Sequence, residues 1–242
     1  MRSFQKKRLS RRDFLRLSGL ASVGAILSTH TLLSTSFAES TPAAPLISPK
    51  QALQRLHEGN RRYVKHKMSR FNESAQRRGE LTKGQKPFAV ILSCVDSRVP
   101  PELIFDQGLG DLFVIRTAGQ VLDNAALGSI EFGLEEFGIP LLMVLGHERC
   151  GAIAATIADI EHNTAPHGQI AFLVQNLKPA VEKTKGQPGD WLDNAGRANV
   201  HFGIERLEAS STIVTSARQE GKLKVVGAYY DLHTGEVEIT VP

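Results

Sequence analysis

Residues 88–98 read FAVILSCVDSR. Five apolar side chains in a row, Phe88 to Leu92, give way at once to a thiol, a carboxylate, a hydroxyl and a guanidinium. A short apolar run without polar alternation marks a strand buried on both faces, as in a parallel sheet. Three more runs share this texture: Leu112 to Ile115, Leu141 to Leu145 and Lys224 to Tyr229. The third run of the four also ends in reactive residues, GHERCG over 146–151. In open α/β sheets, ligands gather at the carboxyl ends of strands. These two strand ends are therefore where chemistry is expected.

Helical patterns separate the runs. Asp123 is placed to cap a helix in which Leu127, Ile130, Leu134 and Phe137 share a face, with Gly138 to end it. Gly151 to Ile160 is rich in Ala and Ile, and helices are also predicted over Gln169 to Lys183 and Ala195 to Glu220, with Gly221 as a stop. Val237 to Val241 alternates after a turn at His233-Thr234-Gly235 and reads as a hairpin or edge strand. Strand and helix alternation predicts an α/β fold with a mainly parallel central sheet flanked by helices. Upstream, Leu53, Leu56, Tyr63 and Val64 recur at helical spacing, so residues 49–66 read as an amphipathic helix. Residues 69–84 are polar and basic, a loop or short helix.

The chain has 242 residues, 41% hydrophobic and 22% charged, with two cysteines. Those values exclude a disordered chain, a coiled coil and a disulfide-rich scaffold. The net charge of +4 is unevenly placed. Residues 1–38 carry seven basic residues and one acidic residue, whereas 39–242 carry a net charge of −2. With no basic stripe interleaved with aromatics, no nucleic-acid partner is expected. The first 16 residues are basic, 17–33 are mildly apolar, and Ser36-Phe37-Ala38 has a small-x-small form. The run Ser10-Arg11-Arg12-Asp13-Phe14-Leu15 resembles a bacterial twin-arginine export signal. The apolar stretch includes Ser18, Ser22, Ser28, Thr29 and His30, too polar for stable membrane insertion. The expected organisation is a signal peptide over 1–38, a linker and helical arm over 39–84, and a catalytic α/β domain over 85–242. The expected destination is the periplasm, reached through the twin-arginine machinery. Such signals accompany proteins exported folded, often with a cofactor already in place.

Both cysteines lie in the two reactive strand ends, with a histidine three residues before the second. Zinc takes thiolate, imidazole and carboxylate ligands, and Cys94, Asp96, His147 and Cys150 offer four. A turn entering a helix brings His147 and Cys150 to one point, and a helix N-terminus lowers the Cys150 thiol pKa. Soft sulfur with imidazole favours zinc over magnesium or calcium. Two other readings stand beside this one. Two cysteines in an oxidising compartment can pair as a disulfide, and a free cysteine can be a small core hydrophobe.

The segments CVDSRVPPE (94–102), GDLFVIR (110–116) and GHERCG (146–151), in this order, resemble the β-class carbonic anhydrases. The likeness runs from Gln85 to the end of the chain. It implies one zinc ion per chain, held by Cys94, His147 and Cys150. It implies that Asp96 pairs with Arg98 in an active form and moves onto the metal in an inactive one. Gln85 matches a glutamine that helps hold substrate, Phe113 an aromatic wall residue, and Gly151 a position close to the metal. Three departures stand out: Ile91 replaces the tryptophan of an inhibitory bicarbonate pocket, Thr117 and Gln120 stand after Arg116 where many members have asparagine, and Phe132 replaces a pocket tyrosine.

The implied reaction is reversible hydration of carbon dioxide to bicarbonate and a proton, by attack of zinc-bound hydroxide. Carbon disulfide or carbonyl sulfide hydrolysis on the same fold, and a non-catalytic zinc- or bicarbonate-binding role, remain as alternatives. A homodimer or larger homo-oligomer is implied, its N-terminal arm gripping a neighbour and part of each site coming from the partner. Asp106 and Asp111 read as turn or capping residues. Glu148 and Arg149 read as surface or interface residues.

Overall fold

A computed structural model describes residues 47–164 and 166–242. The predicted signal segment, 1–38, lies outside the described residues. Five strands form one sheet in the order β2-β1-β3-β4-β5. They are β1 (Ala89–Cys94), β2 (Leu112–Thr117), β3 (Leu141–His147), β4 (Lys224–Tyr230) and β5 (Val237–Val241). The first four pair in parallel, and β5 runs antiparallel to β4 at one edge. The mainly parallel sheet and the edge assignment of residues 237–241 are as the sequence predicts.

Helices cover both faces, which is why three strands show no polar alternation. Every residue of β1 and β3 is buried, as is all of β4 except its first. On one face Val90, Leu92, Leu142, Val144 and Val225 pack against α4 (Asn124–Phe137), α7 (Trp191–Ser210) and α8 (Thr212–Gln219). On the other, Ala89, Ile91, Leu141, Met143 and Val226 pack against α1 (Pro49–Val64) and α3 (Pro101–Ile104). The remaining helices are α2 (Ala75–Glu80), α5 (Gly151–His162) and α6 (Ile170–Glu182). No helix among the described residues is long and apolar enough to cross a membrane.

Three details differ from the sequence reading. The run at 112–117 is half-buried throughout, because β2 is an edge strand with a neighbour on one side only. The span 195–220 is two helices beginning at Trp191. Ser211 ends α7 by donating its N–H to the Leu207 carbonyl, and its Oγ accepts from the Val214 N–H to start α8. A four-residue helix at 101–104 follows β1 and was not anticipated. The cap at Asp123 is as expected: its Oδ1 accepts from the Ala126 N–H at 2.8 Å, and Gly138 closes α4 in the left-handed region.

Helix α1 packs on its own sheet. A capping box between Ser48 and Gln51 starts it, and Pro49 occupies its first turn. Ala52 and Leu56 enter the core beneath β1 and β3. Buried Asn60 donates to the Gly235 carbonyl and accepts from the Val237 N–H, which ties the helix to the β4–β5 turn. Buried Asp106 accepts from Arg62 and from the backbone N–H groups of Ser69 and Arg70. Asp111 accepts from Asn72 and Arg55 and from the Gly108 N–H. Both aspartates therefore anchor the segment at 47–84, a larger role than capping a turn.

The sheet order also places the site. From β1 the chain crosses to β2 on one side, and from β3 it crosses to β4 on the other. The loops after β1 and β3 thus diverge and leave a crevice between two adjacent strand ends, the switch point where open α/β sheets bind ligands.

Candidate metal centre

Cys94 is the last residue of β1, His147 the last of β3, and Cys150 the residue that starts α5. Their ligand atoms all lie within 4.8 Å of one another, and all three residues are buried. Three residues carry this closure: His147 ends its strand, Glu148 and Arg149 turn, and Arg149 takes a positive φ of 51°. Glu148 acts structurally, since its carboxylate accepts from the Leu232 N–H at 3.0 Å. Arg149 is exposed.

The histidine is prepared as a ligand. Its Nδ1 lies 2.8 Å from the Glu148 carbonyl. A carbonyl only accepts, so Nδ1 carries the proton and Nε2 presents a lone pair. That Nε2 is buried and has no hydrogen-bond partner. A buried polar atom without a partner is costly unless something else binds it. An unpartnered imidazole nitrogen beside two sulfur atoms suits a zinc ion in both softness and number.

Both cysteines are free, so the disulfide reading is not realised. The Cys94 thiol is lowered to about 4, chiefly by the hydrogen bond from Cys150 and further by His147 and the N–H groups of Asp96 and Gly119. Cys150 is pushed up, first by sharing its proton with Cys94 and then by burial. The N–H groups of Ala152 and Ile153 at the head of α5 do lower it, but less. Side by side, the two thiols titrate as a coupled pair, the first proton leaving easily and the second with difficulty.

Asp96 is not among the clustered ligands. Its carboxylate is held by Arg98 in a forked pair, Nε to Oδ1 at 2.9 Å and Nη2 to Oδ2 at 2.7 Å. The Arg98 backbone N–H adds a third bond to Oδ1 at 2.9 Å. These bonds hold the Asp96 carboxyl down at about 2 and raise the Arg98 guanidinium. The fourth-ligand position assigned to Asp96 from ligand chemistry is thus not adopted, because a planar guanidinium satisfies both oxygens. The same pairing is what the resemblance implies for the active form.

Gly151 follows the last sulfur, and a methyl group in place of its hydrogen would meet nothing within 4 Å. The structure does not bring Gln85 or Phe113 to the cluster within one chain. Gln85 is exposed on the loop before β1, at the opposite end of the strand from Cys94. Phe113 is in register with Val90, four residues from that end, and packs on Phe137 of α4. Ile91 is buried in the core, and Phe132 is 57% exposed. A groove of about 800 Å³ runs between α1 and β5, remote from the cluster, and holds none of these residues.

Sequence reasoning missed the corner after β2. The Gly119 N–H donates to the Cys94 sulfur at 3.3 Å, and the Gly119 carbonyl accepts from buried Asn199 at 2.9 Å. Gly119 sits at φ 64°, where glycine is the least strained residue. Arg116 donates to the carbonyls of Cys94 and Asp96. A charged residue at the carboxyl end of an apolar strand was the available signal.

Comparison with known proteins agrees with this geometry. A family model described as carbonic anhydrase matches residues 89–237. Carbonic anhydrase 2 of Mycobacterium tuberculosis is 41% identical over 191 residues, covering 79% of this chain and 92% of that protein. A carbonic anhydrase of Mycolicibacterium smegmatis is 37% identical over 195 residues, covering 81% and 95%. Among solved structures, the β-carbonic anhydrase CcaA superposes with a TM-score of 0.63 at 23% identity, over 79% of this chain and 92% of that one. The Coccomyxa β-carbonic anhydrase in complex with acetazolamide gives 0.61 at 24%, over 78% and 86%. These last two support the fold. The chain belongs to the β-class carbonic anhydrase family.

Proposed function

We propose that this enzyme interconverts carbon dioxide and bicarbonate with a zinc ion held by Cys94, His147 and Cys150. The observation that carries the reading is the buried Nε2 of His147, unpartnered beside two sulfurs at the sheet's switch point. When bound, zinc lowers the pKa of a water from roughly 15.7 to about 7, which supplies hydroxide for a neutral, weakly electrophilic substrate. Arg98 holds Asp96 clear of the metal position. Arg98 takes two acceptor sites on Oδ1 and one on Oδ2, so Oδ2 keeps one with which to accept and orient a proton-bearing group.

The test is zinc content per chain, with stopped-flow carbon dioxide hydration near pH 8. About one zinc with rapid hydration supports the reading, and zinc-free protein without hydration overturns it. Arg98→Ala is expected to keep its zinc and lose on the order of 10²-fold or more in kcat/KM. Hydration at the parent rate would refute the role of the pair.

The chain further reads as an exported homo-oligomer. Residues 1–38 serve as a twin-arginine signal directing the folded, metal-loaded protein to the periplasm. Replacing Arg11 and Arg12 with lysine should then leave the protein in the cytoplasm of a bacterial host. Gln85 and Phe113, placed away from their own cluster, serve the site of a second copy. The edge of β2, with one side unpaired, supports this reading.

A further inference from the structure

We propose that Arg116 is a positioning residue that keeps the Asp96 carboxylate on Arg98 and away from the metal. The inference rests on the metal-site reading above and extends it to a residue that touches neither ligand atom nor carboxylate. Arg116 lies on β2, in register with Ser93. Its Nε donates to the Cys94 carbonyl at 2.8 Å and its Nη2 to the Asp96 carbonyl at 2.6 Å. One rigid guanidinium therefore spans two carbonyls that flank Val95.

The rest of the loop is held from the same side. The Val95 N–H donates to the Thr117 carbonyl at 3.2 Å, and the Val99 N–H donates to the Asp96 carbonyl at 3.0 Å. The Asp96 peptide is thus pinned by Arg116 on one side and by its own turn on the other. The direction of that peptide sets the direction of the Asp96 side chain. With the carbonyl fixed, the carboxylate meets Arg98. Among the described residues Arg116 makes no ion pair, and the two carbonyls take its donors. A carboxylate released two residues from a metal-binding sulfur is a strong competitor for the metal's open position. Arg98 alone is a weak restraint, because its side chain is 51% exposed and its bond beyond its own loop is a long one, Nη2 to the Arg149 carbonyl at 3.4 Å. Arg116, reaching from the adjacent strand, is the restraint tied to the sheet. Its planar fork fixes the two carbonyls relative to each other, which a lysine ammonium does less well.

The experiment uses the full chain loaded with cobalt(II) and titrated with azide, followed by the visible spectrum. Azide reports whether the metal has a position open to an outside anion. The parent is expected to bind azide. Arg116→Gln should load cobalt to the parent level, yet bind azide at least tenfold more weakly and hydrate carbon dioxide correspondingly slowly. Arg116→Lys should fall between the two. Removing the competing carboxylate, in the double variant Asp96→Ala with Arg116→Gln, should restore azide binding without restoring hydration. A merely structural defect would not be repaired by a second deletion. Parent-like azide affinity in Arg116→Gln overturns the proposal, as does a loss that Asp96→Ala fails to restore. Failure of both Arg116 variants to hold cobalt also overturns it, since Arg116 would then be supporting Cys94 itself. A parent chain that takes no cobalt refutes the underlying metal-site reading instead.

Discussion

At the scale of single residues, the site is a problem in sharing protons and charge. Side by side and buried, Cys94 and Cys150 resist ionising together, and the pair shares one proton. Binding a divalent metal removes that conflict and frees the shared proton, so metal affinity should rise with pH. Cys150→Ser is expected to bind no stoichiometric zinc and to lose the part of its stability that zinc supplies. That part is about 4 kcal/mol at free zinc a thousandfold above its Kd, read as a lower unfolding midpoint that added zinc no longer shifts. Asp96 behaves oppositely to a buried carboxyl that resists ionisation. Arg98 depresses it to about 2, so the contribution of the pair is fully present above the ordinary carboxylate value near 4. It is lost only as pH falls through about 2. The Asp96 carboxyl carbon resonance should therefore stay flat from pH 8 to 4. A titration step near pH 6 would contradict the forked pair.

At the scale of elements, α1 and the corner after β2 do the supporting work. Helix α1 is docked by the apolar pair Ala52 and Leu56 and by polar ties through Asn60, Arg62 and Arg55. Asp106 takes the Arg62 tie and adds the backbone N–H groups of Ser69 and Arg70, three donors on one buried carboxylate. Asp106→Ala leaves two backbone donors and a guanidinium short of an acceptor, at an expected cost of about 3 kcal/mol. Chemical denaturation should show a lower midpoint, while hydration per zinc-loaded molecule stays at the parent level. The motif at 94–98 reads in sequence as a set of side chains. Its geometry comes from β2 and the corner after it, where Arg116, Thr117 and Gly119 contact the residues of that loop through main-chain and guanidinium bonds.

At the scale of the molecule, one chain assembles the metal ligands but leaves Gln85 and Phe113 elsewhere. If two copies share sites, a chain carrying Arg98→Ala and one carrying Gln85→Ala complement each other. Each is expected to be impaired alone. Unfolded and refolded together, they should recover hydration that neither shows, because one site of the mixed pair keeps both intact residues. Sedimentation of the parent should give a multiple of the chain mass, and a monomer with full activity would remove the case for shared sites.

The strands and most helices were legible in the chain alone, because each rests on a local pattern, whereas the residues by themselves left a zinc site and a disulfide both open, and the set Cys94, His147 and Cys150 came from the resemblance. Apolar runs mark buried strands, Asp123 and Gly138 bracket a helix, and a histidine three residues before a cysteine enters one turn. What the chain alone left open is non-local. The half-burial of β2 follows from its place at the sheet edge, and the Ser211 hydroxyl finds its acceptor in Glu131, eighty residues away. That Cys94 meets His147 and Cys150, and that Arg116 grips two carbonyls, both depend on the pairing of separate strands. Periodicity carries burial along one element. Strand order and pairing register determine which polar groups finally meet, and only the folded chain decides those.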